Sequence, residues 1–206
     1  MRAIPGLAVF FAAALFLYAG KYNQTVEIGM KAPEFANLPG VDGKSYSMSD
    51  FKEDVLVLVF LANHCPWVRG GEKDFLQLVG HFKDKSVRFV GLGVNLRPDD
   101  ALPAMKEHAS KAGYNFVYLH DASQQIGRRY GATRTPEFFV LDKERKLVYT
   151  GLLHNSPALM QADGVARYTK GEPAQHYVRE AVKAALARKL APVAETRAQG
   201  CTVEYK

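Results

Sequence analysis

Val55, Leu56, Val57, Leu58, Val59 and Phe60 follow one another with no polar side chain among them. A strand with one wet face alternates, so an unbroken apolar run of strand length predicts a central strand covered on both sides. Such a strand needs neighbours, and the next residues supply them. Phe75, Leu78, Val79 and Phe82 recur at helical spacing, and Val87 to Val94 reads as a second buried strand. Strand, helix and strand in this order imply parallel pairing through a right-handed crossover.

The remaining elements extend the same layer. Asp99 to Ala112 reads as a helix ended by Gly113, and Asn115 to Leu119 as a short β-rich run. Asp121 with Gln124 three residues on resembles a capping arrangement, predicting a helix that runs to Tyr130 and stops at Gly131. Glu137 to Leu141 and Lys146 to Thr150 flank the charged turn Asp142 to Arg145, the pattern of an antiparallel hairpin. A last helix is predicted to start around Glu172 and Pro173 and carries Tyr177, Val178, Ala181, Val182, Ala185 and Leu186 on one stripe; Pro192 ends it. The order implies an α/β fold, a central mixed sheet with helices on both faces, over residues 26–190, followed by an ordered or semi-ordered tail, 191–206, that carries Cys201.

Composition narrows the function. At 206 residues, 48% apolar and 23% charged, the chain can bury one good core and is too apolar to be disordered. The net charge of +6 is spread along the sequence, with no helix presenting a continuous basic face, so nucleic acid is not an expected partner. Residues 1–20 differ from the rest. Arg2 precedes an uncharged run that reaches Gly20, with Leu17 and Ala19 at positions suited to cleavage. This describes an export signal, or an uncleaved membrane anchor over residues 3–20, or less simply a buried helix. Either of the first two puts the domain in a periplasmic or other extracytoplasmic space, where thiols can stay oxidised, with the N-terminal segment its one contact with a membrane.

Cys65 stands directly after the central strand and before the next helix, in Asn63-His64-Cys65-Pro66-Trp67. A thiol there meets unpaired backbone N–H groups and the positive end of the helix dipole, which favour the thiolate, the nucleophilic form. Pro66 fits the first helical position, where its missing N–H has no partner to lose. His64, if protonated, could stabilise that thiolate or pass on a proton; equally it could be a partly exposed histidine with no role. Trp67 suits an apolar platform for substrate or a cover for the helix start. Gly70 and Gly71 inside the helix point to a bend or close packing. His64 and Cys65 with His154 form at most a weak metal set, and the other histidines lie at no ligand spacing, so no metal and no cofactor is assigned.

Phe60, Ala62, Cys65, Pro66 and Thr135-Pro136 before the hairpin resemble the thioredoxin fold. More narrowly, Ile28-Gly-Met-Lys-Ala-Pro-Glu-Phe35, the run to Cys65-Pro66, Arg134-Thr-Pro-Glu-Phe-Phe-Val-Leu-Asp142 and Gly200-Cys201 resemble the redoxins, the peroxiredoxin-like branch of the alkyl hydroperoxide reductase and thiol-specific antioxidant superfamily. The resemblance implies a Cys65 that attacks a disulfide or a peroxide, a cis Pro136 facing its sulfur, and backbone beside Thr135 that hydrogen-bonds an extended substrate. Two departures matter. Val68 occupies the place of a second thioredoxin cysteine, and Ala62 that of a peroxide-holding threonine. Cys201 could therefore resolve an oxidised Cys65, fasten the tail in a static disulfide, or stay free. The leading expectation is an oxidoreductase acting on a peroxide or on a protein or small-molecule disulfide, restored by a thiol reductant. The alternative is a non-catalytic binding module with a structural Cys65–Cys201 disulfide.

Overall fold

A computed structural model describes residues 20–168, 173 and 175–206. The N-terminal run up to Ala19, and Glu172 where the last helix is predicted to open, lie outside these. Among the described residues no helix is long and apolar enough to cross a membrane.

The chain opens with a small ribbon, β1 (Leu38–Pro39) against β2 (Ser45–Tyr46), and then enters β3 (Val55–Leu61), α1 (Pro66–His81) and β4 (Val87–Gly93). Next come α2 (Leu102–Ala112), β5 (Val117–His120), α3 (Gln125–Tyr130), β6 (Arg134–Thr135), β7 (Glu137–Leu141) and β8 (Leu147–Gly151). A hairpin of β9 (Ala158–Met160) and β10 (Ala166–Tyr168), helix α4 (Tyr177–Leu186) and β11 (Cys201–Thr202) complete it. The main sheet has the order β5-β4-β3-β7-β8. β3 pairs parallel to β4 and antiparallel to β7, so the predicted covered strand is central.

Its unbroken apolarity has a direct cause. Successive side chains on a strand point to opposite faces. Val55, Val57, Val59 and Leu61 pack with Phe75, Leu78 and Val182 on one side, while Leu56, Leu58 and Phe60 pack with Phe35, Ile126 and Tyr130 on the other. Each face thus receives every second residue, and both are dry. Truncating any one of these leucines to alanine would cost about 2–5 kcal/mol.

Three predicted boundaries move. Pro98–Asp100 is a separate 3-10 turn, and extended Ala101 divides it from α2. Pro103 has no N–H, so it must sit in a first turn and α2 cannot reach back to Asp99. The Asp121 carboxylate does cap α3, accepting from the Ile126 N–H at 2.8 Å, but Gln124 does not reciprocate. Gln124 has φ +59, and its amide reaches the carbonyls of Val94 and Glu204 instead. Finally, α4 starts at Tyr177, with Pro173 outside it. The Gln175 N–H is taken by the Asn155 side chain and the Asn155 N–H by the Gln175 carbonyl, a cross-link that fixes Gln175 outside the helix.

Candidate functional site

β3 ends at Leu61, and the Cys65 N–H donates to the Ala62 carbonyl, turning the chain into α1. Cys65 is the N-cap residue, extended at φ −75 and ψ 118, with Pro66 in the first turn, where its ring costs no hydrogen bond. The thiol donates to the Thr135 carbonyl at 3.1 Å. An accessible nucleophile is expected from the sequence, yet Cys65 is fully buried. The tail covers it.

Tail and active loop meet through the shortest possible ladder. The Thr135–Pro136 peptide is cis, and β11 runs antiparallel to β6 with Cys201 opposite Thr135. Gly200 makes this approach possible: a Cβ there would lie 2.0 Å from the Thr135 oxygen. Cys201, half-buried, lies within interaction reach of the Cys65 sulfur and of the Trp67 backbone. Burial, then the hydrogen bond and charge of Cys65, push the Cys201 thiol up to about 12, against the weaker pull of the Trp67 N–H and Arg134. Both thiols are free, so the static disulfide of the binding-module alternative is not what this structure contains.

The loop before Cys65 is fixed by a residue that sequence reasoning missed. Asp100, buried in the turn after β4, accepts from the Asn63 N–H at 2.6 Å and from the His64 N–H at 3.4 Å, and its second oxygen lies 2.5 Å from His64 Nδ1. The carboxylate thus engages Nδ1 of the ring rather than Nε2. Asn63 is held in turn, donating to the Asp99 carbonyl and accepting from the Tyr118 hydroxyl. The available signal was Pro103, which forbids Asp100 a helical place. Glu137 was missed as well. Buried beside Pro136, it accepts the N–H groups of Thr133 and Arg134, and burial raises it to about 7 despite them. An acid opening the apolar strand Glu137-Phe-Phe-Val-Leu141 was the clue.

Other candidates separate. Pro66 and Trp67 are half-buried at the helix start, and Trp67 and Pro136 share a cavity wall. Val68, in the place of a second thiol, is buried in the core, and Ala62 is buried too. His154 belongs elsewhere: it accepts from the Ser156 N–H and contacts Asp74 at 3.3 Å. Among the described residues no cluster of His, Cys, Asp or Glu is arranged to hold a metal. Gly70 and Gly71 serve close packing: a Cβ on Gly70 would lie 1.6 Å from the Ala166 oxygen, so β10 rests directly on α1.

A central mixed sheet with helices on both faces is the thioredoxin-like fold, and solved structures of that class share it; here the middle strand delivers Cys65 to a helix start, with a cis-proline after Thr135. Residues 27–166 match the Redoxin family, and the chain belongs to that family. An uncharacterized conserved protein from Geobacillus kaustophilus superposes with a TM-score of 0.78 at 32% identity, over 89% of this chain and 95% of that one. A hypothetical protein from Sinorhizobium meliloti 1021 gives 0.77 at 28% identity, over 89% and 97%. Among characterised names, the thiol-disulfide oxidoreductase ResA of Bacillus cereus is 27% identical over 152 residues, 71% of this chain and 83% of that protein.

Proposed function

We propose that the chain is an exported thiol-disulfide oxidoreductase whose working pair is Cys65 and Cys201. The observation that carries this is the pairing of β11 with β6, which sets Cys201 opposite Thr135, the residue whose carbonyl accepts the Cys65 thiol at the start of α1. Cys201 supplies from the tail the second thiol that Val68 does not supply from the helix. The oxidoreductase name of the ResA relatives supports the same chemistry.

In the reductive direction the Cys65 thiol passes its proton to His64 Nε2 as its sulfur attacks a substrate disulfide, protein or small molecule, forming a mixed disulfide, and the departing thiolate takes that proton back. Cys201 then attacks Cys65, closing the intramolecular disulfide and releasing the second substrate thiol; an external thiol reductant restores the pair. Burial is the main reason that Cys201 keeps its proton, and the next two causes both belong to a free Cys65 sulfur. Forming the mixed disulfide removes those two and readies Cys201 for attack. Peroxide is the weaker substrate, since Ala62 offers no hydroxyl to hold it. The Arg2 start and the apolar run that follows support export of a domain at 26–190 and its 191–206 tail, a point that fusion of residues 1–20 to a periplasmic phosphatase reporter checks.

The test is equilibration in dithiothreitol redox buffers, followed by alkylation and peptide mass analysis. A linked Cys65–Cys201 peptide is expected, lost in Cys65→Ser, while Cys201→Ser accumulates mixed disulfide. Both thiols remaining alkylatable across the whole series would overturn the proposal.

A further inference from the structure

Behind Trp67 and Pro136 lies a cavity of about 420 Å³. Phe75 and Phe138 line it from the core side, and Leu153 and Tyr168 from the segment after β8. The β9–β10 hairpin makes the enclosure possible, because Gly70 lets the Ala166 backbone lie on α1 and Tyr168 packs on Gly71. Tyr168 also senses the reacting sulfur: burial, then the Cys65 charge, push its phenol up to about 12. Trp67 and Val68, just after Cys65 in the chain, and Pro136, next to the Thr135 carbonyl that accepts its thiol, line the cavity, which places it beside that sulfur.

Charge distinguishes this cavity from its neighbour. The chain carries a net +6, and Arg69, Lys73, Arg167 and Arg179 line an adjoining pocket, yet among the described residues no Lys or Arg lines the cavity behind Trp67. Among the described residues its one carboxylate is Glu72, which accepts from the Tyr114 hydroxyl at 2.8 Å and from His108 Nε2. Its histidine, His154, has both ring nitrogens engaged, by Ser156 and Asp74. A concave, mainly apolar volume of this size with a few fixed polar groups matches a small-molecule site, and the Glu72 carboxylate disfavours anions.

We propose that this cavity holds the apolar body of a small neutral or singly cationic disulfide and presents its S–S bond to Cys65. The inference rests on the oxidoreductase reading above and names its substrate class. One turnover balances as RS–SR plus two protein thiols giving two RSH and the Cys65–Cys201 disulfide; two electrons pass to the substrate, and a dithiol reductant returns them.

Two measurements test it on the full chain. In the Cys65→Ser/Cys201→Ser variant, the neutral fluorophore N-phenyl-1-naphthylamine should bind saturably at one site, and the anionic 1-anilinonaphthalene-8-sulfonate at least tenfold more weakly. Ala158→Trp and Ser156→Trp, at lining positions outside the reacting groups, should each weaken the neutral probe at least tenfold. In the reduced wild type, dibenzyl disulfide should form the Cys65–Cys201 disulfide at least tenfold faster than the anionic glutathione disulfide, a ratio that either tryptophan removes. Absence of saturable neutral-probe binding, equal rates for the two disulfides, or a ratio that survives both tryptophans overturns the cavity proposal while leaving the oxidoreductase reading intact. No exchange with either disulfide overturns both, and the fluorophore titration then reports on the cavity alone.

Discussion

The two sulfurs are held by scaffolds of unequal strength. Cys65 sits between the central strand and α1, and its preceding loop is tied by a buried carboxylate that accepts from two backbone N–H groups and one imidazole. Cys201 sits on a two-residue strand whose neighbours hold on through the Val203 N–H to Thr133, Arg134 to Thr202, and the Tyr205 hydroxyl to Ala132. The first scaffold is the central strand and a long helix; the second is a two-residue ladder, with Val203 beyond it reaching the core. Under the exchange reaction proposed above, one sulfur must keep its place while the other gives way to substrate, and this asymmetry suits Cys65 to the first part and Cys201 to the second.

Removing the carboxylate should do the most damage. Asp100→Ala leaves two buried N–H donors and the His64 ring without their acceptor, and an orphaned donor costs about 1–3 kcal/mol, so a loss of about 4 kcal/mol is expected in denaturant unfolding. A loss under about 1 kcal/mol would mean that the loop holds itself, and the contrast between the two scaffolds would fail.

Glu137 sharpens the comparison through pH. It ties down the Thr133–Arg134 backbone against which β11 pairs. Its carboxyl rises from an ordinary 4.5 to about 7, so between those values the folded chain keeps a proton that the unfolded chain has released. Stability then falls as pH rises through this window, by about 3 kcal/mol at most, and is fully present below it. Glu137→Gln should flatten that slope, as unfolding curves recorded from pH 4 to 8 would reveal; an unchanged slope would assign it to other groups.

The strap itself comes next. Gly200 has φ +139, and an added Cβ would strike the Thr135 oxygen, so Gly200→Ala should part β11 from β6 at a cost of about 2 kcal/mol. If release of the strap is the route to Cys65, alkylation of Cys65 should accelerate roughly 30-fold, the same free energy expressed as a population. A loss of global stability with no faster alkylation would separate strap from access.

What the sequence discloses follows the same division. The β3 run, the α1 stripe, β4 and the hairpin of β7 and β8 are periodic or unbroken patterns, legible because burial imposes a period on many residues at once. Cys65 is legible for the same reason, since a strand end and a helix start bracket it. Asp100 is not, because its value lies in a turn that reaches back to another loop, and an acid near a helix start already has an ordinary explanation. The meeting of Cys201 with Cys65 depends on two residues pairing across an edge, too few to leave a period. The β9–β10 hairpin escapes for the same reason, and only the Gly70-Gly71 doublet hints at the backbone lying on it.

The smallest expected effect is the most selective. Tyr205→Phe keeps the ring, its stacking beneath the Arg128 guanidinium at 4.7 Å and its packing on Gly127, and removes one hydroxyl that donates to the Ala132 carbonyl at 2.6 Å. One such hydrogen bond contributes about 1 kcal/mol. Because that bond joins the strap to the segment before β6, its loss should appear chiefly as easier local opening, with Cys65 alkylation roughly fivefold faster and the denaturation midpoint nearly unmoved. Equal shifts in both would make the strap part of the global fold, and Cys201 would then be anchored as firmly as the sulfur it faces.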